Sequence, residues 1–277
     1  MKNEDLNALS ALAVSGDGAA LSRLCERLEN PVYRLCLRML GDARDAEDAA
    51  QDVLVKVLTH LGSFEGRSGL LTWVHHITVR HVLNSRKSRA EERSIDEDGF
   101  AELLEQGLAW GATQPAPTPE DLTLLTEVRL SCTQGMLLML NREERLALVL
   151  VELLGFDAAE AAEISETSHE AMRQRLSRAR LRLGAFLERS CGVANAQAAC
   201  RCEKQLAGKT ASGLKTERLA LLAQGDLPAR EEVSLAAAEL RAVRSISSAF
   251  HQRGDWRAPG RLRERMQQLL PTVLGPG

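Results

Sequence analysis

Residues 157–188 read DAAEAAEISETSHEAMRQRLSRARLRLGAFLE, and the way this stretch divides decides the fold. Asp157 is an N-cap for a short helix, Ala158 to Ile164. Ser165-Glu166-Thr167-Ser168 makes a tight turn, and a long helix runs from His169 to about Glu188. Just upstream, Asn141-Arg142-Glu143-Glu144 has the form of an N-cap with acids in the first turn. It opens an apolar helix, Leu146 to Leu154, that ends at Gly155. A short helix, a four-residue turn and a longer second helix are the dimensions of a helix-turn-helix.

The long helix has two faces. Met172, Leu176, Ala179, Leu183 and Phe186 share one side and are expected to pack on the preceding helices. The other side presents Arg173, Gln174, Ser177 and Arg178, donors suited to base edges and phosphates in a major groove. Arg175, Arg180 and Arg182 add flanking charge. Five arginines lie between 173 and 182 with no acid among them. A helix kept for solubility usually mixes both signs, so DNA contact is the expectation.

Outward from this motif, residues 20–89 show closely spaced amphipathic helices. In the helix from Ala43 to Leu61, Ala46, Ala50, Val53, Leu54, Val57 and Leu61 share one side at about 100° per residue. Asp45, Asp48, Asp52 and Lys56 line the opposite side, and Asp42 is the expected N-cap. By pattern alone that acidic face is a well-capped solvated one. The glycine-punctuated loop Phe64-Glu65-Gly66-Arg67-Ser68-Gly69 follows, then a helix from Leu70 to about Arg89. Leu70, Trp73, Val74 and Ile77 are its expected core side, and Arg80, Arg86, Lys87 and Arg89 gather near its end. Cations suit a helix C-terminus, and DNA phosphate contact is the sharper alternative. Acids at 96–98 and the alternating Pro115, Pro117 and Pro119 make residues 94–120 an expected extended linker.

Composition agrees with two compact all-α domains. The chain has 277 residues, 44% of them hydrophobic but only 3% aromatic, so Leu, Ala and Val must fill the cores. A net charge of −3 excludes a uniformly basic nucleic-acid coat, leaving local patches. There is no apolar run of about 18 residues and no signal-peptide pattern at the N-terminus, so a cytoplasmic location is expected. Cys25, Cys36 and Cys132 sit in helical apolar patterns as buried thiols.

The two halves together resemble the extracytoplasmic-function (ECF, group 4) sigma factors of bacteria. The carrying stretches are Tyr33-Arg34-Leu35 with Leu40-Gly41-Asp42 through Asp52-Val53, then Phe64 to Gly69 with Thr72-Trp73-Val74, then Ser177-Arg178-Ala179-Arg180. The resemblance implies two helical bundles, sigma region 2 at residues 20–93 and region 4 at 121–190. A flexible linker joins them, residues 1–19 precede them, and a helical extension occupies 191–277. It implies that Asp48, Gln51 and Asp52 meet a basic coiled coil on the largest polymerase subunit, which replaces the solvated-face reading. Loop residues including Phe64, Arg67 and Ser68 would cradle a flipped minus-ten base, with Arg80, Asn84, Arg86 and Lys87 along the opened strand. Arg173, Gln174, Arg175, Ser177 and Arg178 would serve the minus-thirty-five element. The chain departs from the family pattern at Leu70, Arg80 and Asn84. Such a factor is no enzyme; its partners would be core RNA polymerase, promoter DNA and, as an open candidate, an anti-sigma factor.

The extension adds Cys191, Cys200 and Cys202. A soft metal such as zinc or copper(I), a reversible disulfide and plain packing remain open for these thiols, with Arg189 and Arg201 expected to favour thiolates. Helices at Glu231–Phe250 and Arg261–Leu270 are candidates to pack back on the sigma domains and regulate them. The alternative function is a helix-turn-helix regulator that binds duplex DNA without polymerase. It would lack the acidic docking helix and the Trp-bearing loop-helix. A helical adaptor with no DNA role is disfavoured by the arginine-rich helix.

Overall fold

A computed structural model describes residues 3–92, 96–116, 118, 125–211 and 258–274. The described helices are α1 (Asn3–Val14), α2 (Gly18–Leu40), α3 (Ala43–Thr59), α4 (Leu70–Asn84), α5 (Arg89–Glu92), α6 (Glu97–Ala112), α7 (Leu125–Leu138), α8 (Arg142–Leu148), α9 (Ala158–Ile164), α10 (His169–Ser190), α11 (Cys202–Ala211) and α12 (Gly260–Leu274). A π-helical turn, Val149–Leu153, continues α8. The described residues are all-α, with one isolated backbone bridge between Cys191 and Cys200. They form two compact units, one of the described residues within 3–92, 157–172 and 258–274, the other of those within 96–156 and 173–211.

In the first unit α1, α3 and α4 pack around α2. Leu24, Leu28, Leu35, Val53, Leu54, Val57, Leu70 and Val74 are fully buried there. The α2–α3 corner is set by local chemistry. Gly41 turns the chain at φ 70° and closes α2 through its N–H to the Leu37 carbonyl, 2.8 Å. Asp42 then caps α3 by accepting from the N–H groups of Arg44 and Asp45. Asn7 accepts from the N–H of Leu70 at 3.0 Å, tying α1 to the start of α4.

In the second unit the capping expected at Asn141 is present, its side chain accepting from the Glu144 N–H. Arg145, 3% exposed, donates to the carbonyls of Leu137 and Leu140 at 2.9 and 3.0 Å, satisfying groups at the end of α7. Phe186 of α10 meets Phe100 of α6, with centroids 5.6 Å apart.

Two expectations are corrected. The segment 94–120 is not extended throughout, because α6 fills 97–112. Asp96 accepts from the Gly99 N–H at 2.9 Å as an N-cap, and Glu97 and Asp98 favour the first turn of a helix. Pro117 and Pro119 lie outside the described residues. The helix after the loop stops at Asn84 rather than Arg89, with the Ser85 N–H closing it onto the Val82 carbonyl. The expected helix at Glu231–Phe250 lies outside the described residues; the expected one at Arg261–Leu270 is α12.

Candidate nucleic-acid interface

On α10 the charge pattern becomes a set of contacts. Arg173, Gln174, Ser177 and Arg178 are exposed, and Met172, Leu176, Ala179, Leu183 and Phe186 are buried, as the periodicity requires. The arginines are not without acids, however. Arg175 pairs with Glu143 at 3.1 Å and Arg178 with Glu144 at 3.2 Å. Arg180 pairs with Glu152 through Nε at 2.8 Å. Arg182 reaches Glu97 at 3.2 Å and Glu144 at 3.1 Å. The counter-charges come from α6, α8 and the π turn rather than from α10, so inspection of α10 alone could not find them. Arg178 remains half-exposed while Glu144 is nearly covered, an arrangement that aims the guanidinium outward and fixes its root. Arg173 carries no ion pair among the described residues. Asp157 and Glu160 form a full capping box on α9, and Glu166 occupies the left-handed region at φ 50° in the turn.

In the first unit the loop 64–69 stands at the start of α4. Gly66 has φ 71°, a conformation that favours glycine. Phe64 tilts against Trp73 with centroids 5.5 Å apart, both half-buried, so Trp73 is a platform at the loop rather than a core residue. Ile77 is also only half-buried, and the buried side is Leu70, Val74, His75, Thr78, Val79 and Val82. Arg67 is exposed and pairs with Glu65 at 2.5 Å; Ser68 is half-buried.

Beside α3 and α4 lies a groove of about 470 Å³, lined by Lys56, His76, Ile77, Arg80, His81, Asn84 and Ser85. Arg80 and Asn84 were expected on a strand path. Lys56, His76 and His81 were missed, although His76, Arg80 and Asn84 follow one another at four-residue spacing, the signal of one helix face. Lys56 Nζ sits 3.0 Å from His81 Nδ1. Burial and then the Lys56 charge push the His81 imidazole down, against the Asp52 carboxylate. Arg86 and Lys87 are exposed just beyond the end of α4. Arg89 is held elsewhere: its N–H, Nε and Nη2 bond Asp45 at 2.8, 3.0 and 2.7 Å. Burial acts to raise the Asp45 carboxyl, but the bonds and charge of Arg89 hold it below its usual range.

The acidic side of α3 is partly covered. Asp48 and Asp52 are exposed and Gln51 is half-buried. Glu47, which no periodicity singles out, is buried. Arg265 of α12 donates to Asp48 at 3.1 Å and to Gln51 at 3.2 Å.

Residues 24–92 match the Sigma-70 region 2 family and residues 130–183 match Sigma-70 region 4. The ECF RNA polymerase sigma-E factor of Escherichia coli K12 is 31% identical over 167 residues, 60% of this chain and 85% of that protein. This chain is an ECF sigma factor. The RNA polymerase sigma-H factor of Pseudomonas aeruginosa is 29% identical over 165 residues, 60% of this chain and 84% of that one. Among solved structures, CnrH in complex with the cytosolic domain of CnrY aligns with a TM-score of 0.48 and 21% identity, covering 65% of this chain and 96% of that one. The two family matches take in α3, the loop, α4, α9 and the donor row of α10. Residues 184–277 of this sigma factor, including α11 and α12, lie beyond both.

None of Cys191, Cys200 and Cys202 in the sigma factor's extension, nor Cys25, Cys36 and Cys132, forms a disulfide. Burial pushes Cys200 up to about 11 and also raises Cys202, against the nearby Arg129. The expectation that arginines favour thiolates here is thus reversed. Arg201 donates to the carbonyls of Ala196, Ala198 and Cys200, and burial outweighs its charge at Cys200. Among the described residues no three His, Cys, Asp or Glu side chains are arranged to hold a metal ion. His251 lies outside the described residues. No described helix is long and apolar enough to cross a membrane.

Proposed function

We propose that the two units of this sigma factor divide its work between gripping polymerase, holding opened DNA and reading duplex DNA. Membership of the family carries the general activity: the chain directs RNA polymerase to promoters and initiates transcription, with core polymerase and promoter DNA as partners. Asp48, Gln51 and Asp52 on α3 meet a basic surface of core polymerase. Phe64, Arg67 and Ser68 receive an unstacked promoter base beside the Trp73 platform. Arg80, Asn84, Arg86 and Lys87 track the exposed strand, and the groove side chains of Lys56 and His76 extend that path. Charged groove and aromatic platform together are what a single strand requires. Arg173, Gln174, Ser177 and Arg178 meet base edges and phosphates, while Arg175, half-buried on Glu143, steadies the row. The factor works in the cytoplasm. Its own chain performs no chemistry; it supplies recognition, and strand capture offsets part of the cost of opening.

The observation that carries this reading is the exposed donor row on the N-terminal half of α10, where phosphate contacts position the helix and base contacts specify. It is tested by titrating reconstituted holoenzyme on promoter duplex across salt concentrations. Arg178→Ala is expected to weaken binding several-fold and to reduce the salt slope by about one. Unchanged occupancy and slope would remove Arg178 from the recognition face.

A further inference from the structure

The C-terminal helix lies against α2 and α3, within the first unit. Leu262, Met266 and Leu270, at four-residue spacing, are 0%, 1% and 7% exposed and form its inner stripe. At about 100° per residue Arg261 and Arg265 fall on one edge of that stripe and Arg263 on the other. Each edge meets acids. Arg261 pairs with Glu47, and Arg265 with Asp48 and Gln51, all on α3. Arg263 pairs with Glu29 of α2 at 3.0 Å. At the helix entrance the Ala258 N–H donates to Asn30 Oδ1 at 2.6 Å.

We infer that α12 is a built-in competitor for core polymerase: it occupies the α2–α3 face that carries Asp48 and Gln51, so the factor docks when α12 leaves. The inference rests on the proposed docking role of Asp48, Gln51 and Asp52.

Two observations separate this contact from incidental packing. Glu29 and Glu47 are each only 2% exposed, and carboxylates so covered are costly unless matched by charge. Arg263 and Arg261 supply that match. Burial raises the Glu29 carboxyl and Arg263 opposes the rise, as expected for a partner that compensates desolvation. The second observation is chemical. α12 offers α3 a helix edged with cations, which is the surface expected of the polymerase element that would dock there. Two basic helices cannot share one face. Asp52 is exposed and has no hydrogen bond or ion pair to α12 among the described residues, so it remains a point at which docking can be perturbed without breaking a bond of the competitor.

The test uses the full chain and sigma-free core polymerase, with affinity read by titration. Leu262→Asp/Met266→Asp removes the apolar stripe and is expected to tighten binding at least tenfold. Arg265→Glu, an exposed change that the fold tolerates, is expected to tighten it about threefold. Adding Asp52→Lys to either variant is expected to abolish the gain. Amide hydrogen exchange reports whether residues 260–274 are released while α2 and α3 stay protected. Released α12 with unchanged affinity, in a chain still weakened by Asp52→Lys, overturns the competitor and leaves the docking face standing. Affinity indifferent to Asp52→Lys in the released chain overturns the docking face and the competitor with it.

Discussion

Helices α3 and α10 carry the two charged faces of this sigma factor, one acidic and one basic, and each is met by opposite charge from its own unit. The sources differ. On α10 the counter-charges are Glu97, Glu143, Glu144 and Glu152, on α6, α8 and the π turn, all integral to the second unit. They root the arginines and leave Arg173, Gln174 and Ser177 exposed. On α3 Asp45 is held from within the unit by Arg89, but the counter-charges at Glu47 and Asp48 are Arg261 and Arg265, on a helix more than 200 residues away in sequence and outside both family matches. Ion pairs inside a module orient a surface. Ion pairs from an appended helix cover one. On the proposed reading, the same chemistry prepares one face for its partner and keeps the other from its partner.

Reversing charge on the acidic face should give the largest effect. Asp48→Lys with Asp52→Lys is expected to lower affinity for core polymerase by about a hundredfold, in line with like charges set against each other across an interface. Duplex binding by the isolated factor should not change, and a parallel loss there would mean that the two faces are not separate. Next comes the stability of the first unit. Burial holds His75 down to about 4, so it is neutral when folded and protonates near 6.5 when unfolded. Its contribution is complete above about pH 6.5 and is lost as pH falls toward 4, by up to about 3 kcal/mol. Hydrogen exchange of α2–α4 amides should show that slope, and His75→Leu should flatten it; an equal slope in the variant would contradict the assignment.

Smaller effects are expected on the basic face. Arg173→Ala should cost about tenfold in promoter affinity, concentrated at one or two base positions, as for a lost base contact. Binding to a mutated-operator library checks this, and a uniform loss across sequences would make Arg173 a phosphate contact only. Smallest is Glu144→Gln. Without its carboxylate, Arg178 and Arg182 lose their shared anchor, and a fall in stability of about 1 kcal/mol is expected with modestly weaker, less selective DNA binding. Tighter, equally selective binding would show that Glu144 restrains the row rather than aiming it.

What the sequence disclosed of these faces follows from the range of the interactions involved. Caps are local, and Asp42, Asn141 and Asp157 stand where they were expected, each accepting from N–H groups two or three residues on. Helix α6 was missed because Asp96, Glu97 and Asp98 look like a charged break until one of them is seen capping a helix. Within α6, Gly107 and Gly111 serve packing: a Cβ at either would collide with Gln205 or the Lys204 backbone of α11. The overestimate of α4 has a similar origin, since Ser88 is drawn to the Leu40 carbonyl and Arg89 to Asp45, where the separate helix α5 begins. The donor row of α10 and the acids Asp48 and Asp52 were legible because exposed positions on a helix obey periodicity. The buried Glu29 and Glu47, and the acids that root the arginines, were not, because their environment is made by distant segments.

The most direct test of the divided-labour account is run-off transcription by sigma-free core polymerase over a pooled promoter library. It should be performed with the full chain and with the Leu262→Asp/Met266→Asp variant. Discrete start sites sharing an upstream and a minus-ten element, stronger with the variant, are the expected result. Transcripts no different from those of core enzyme alone, with both forms of the chain, would contradict it.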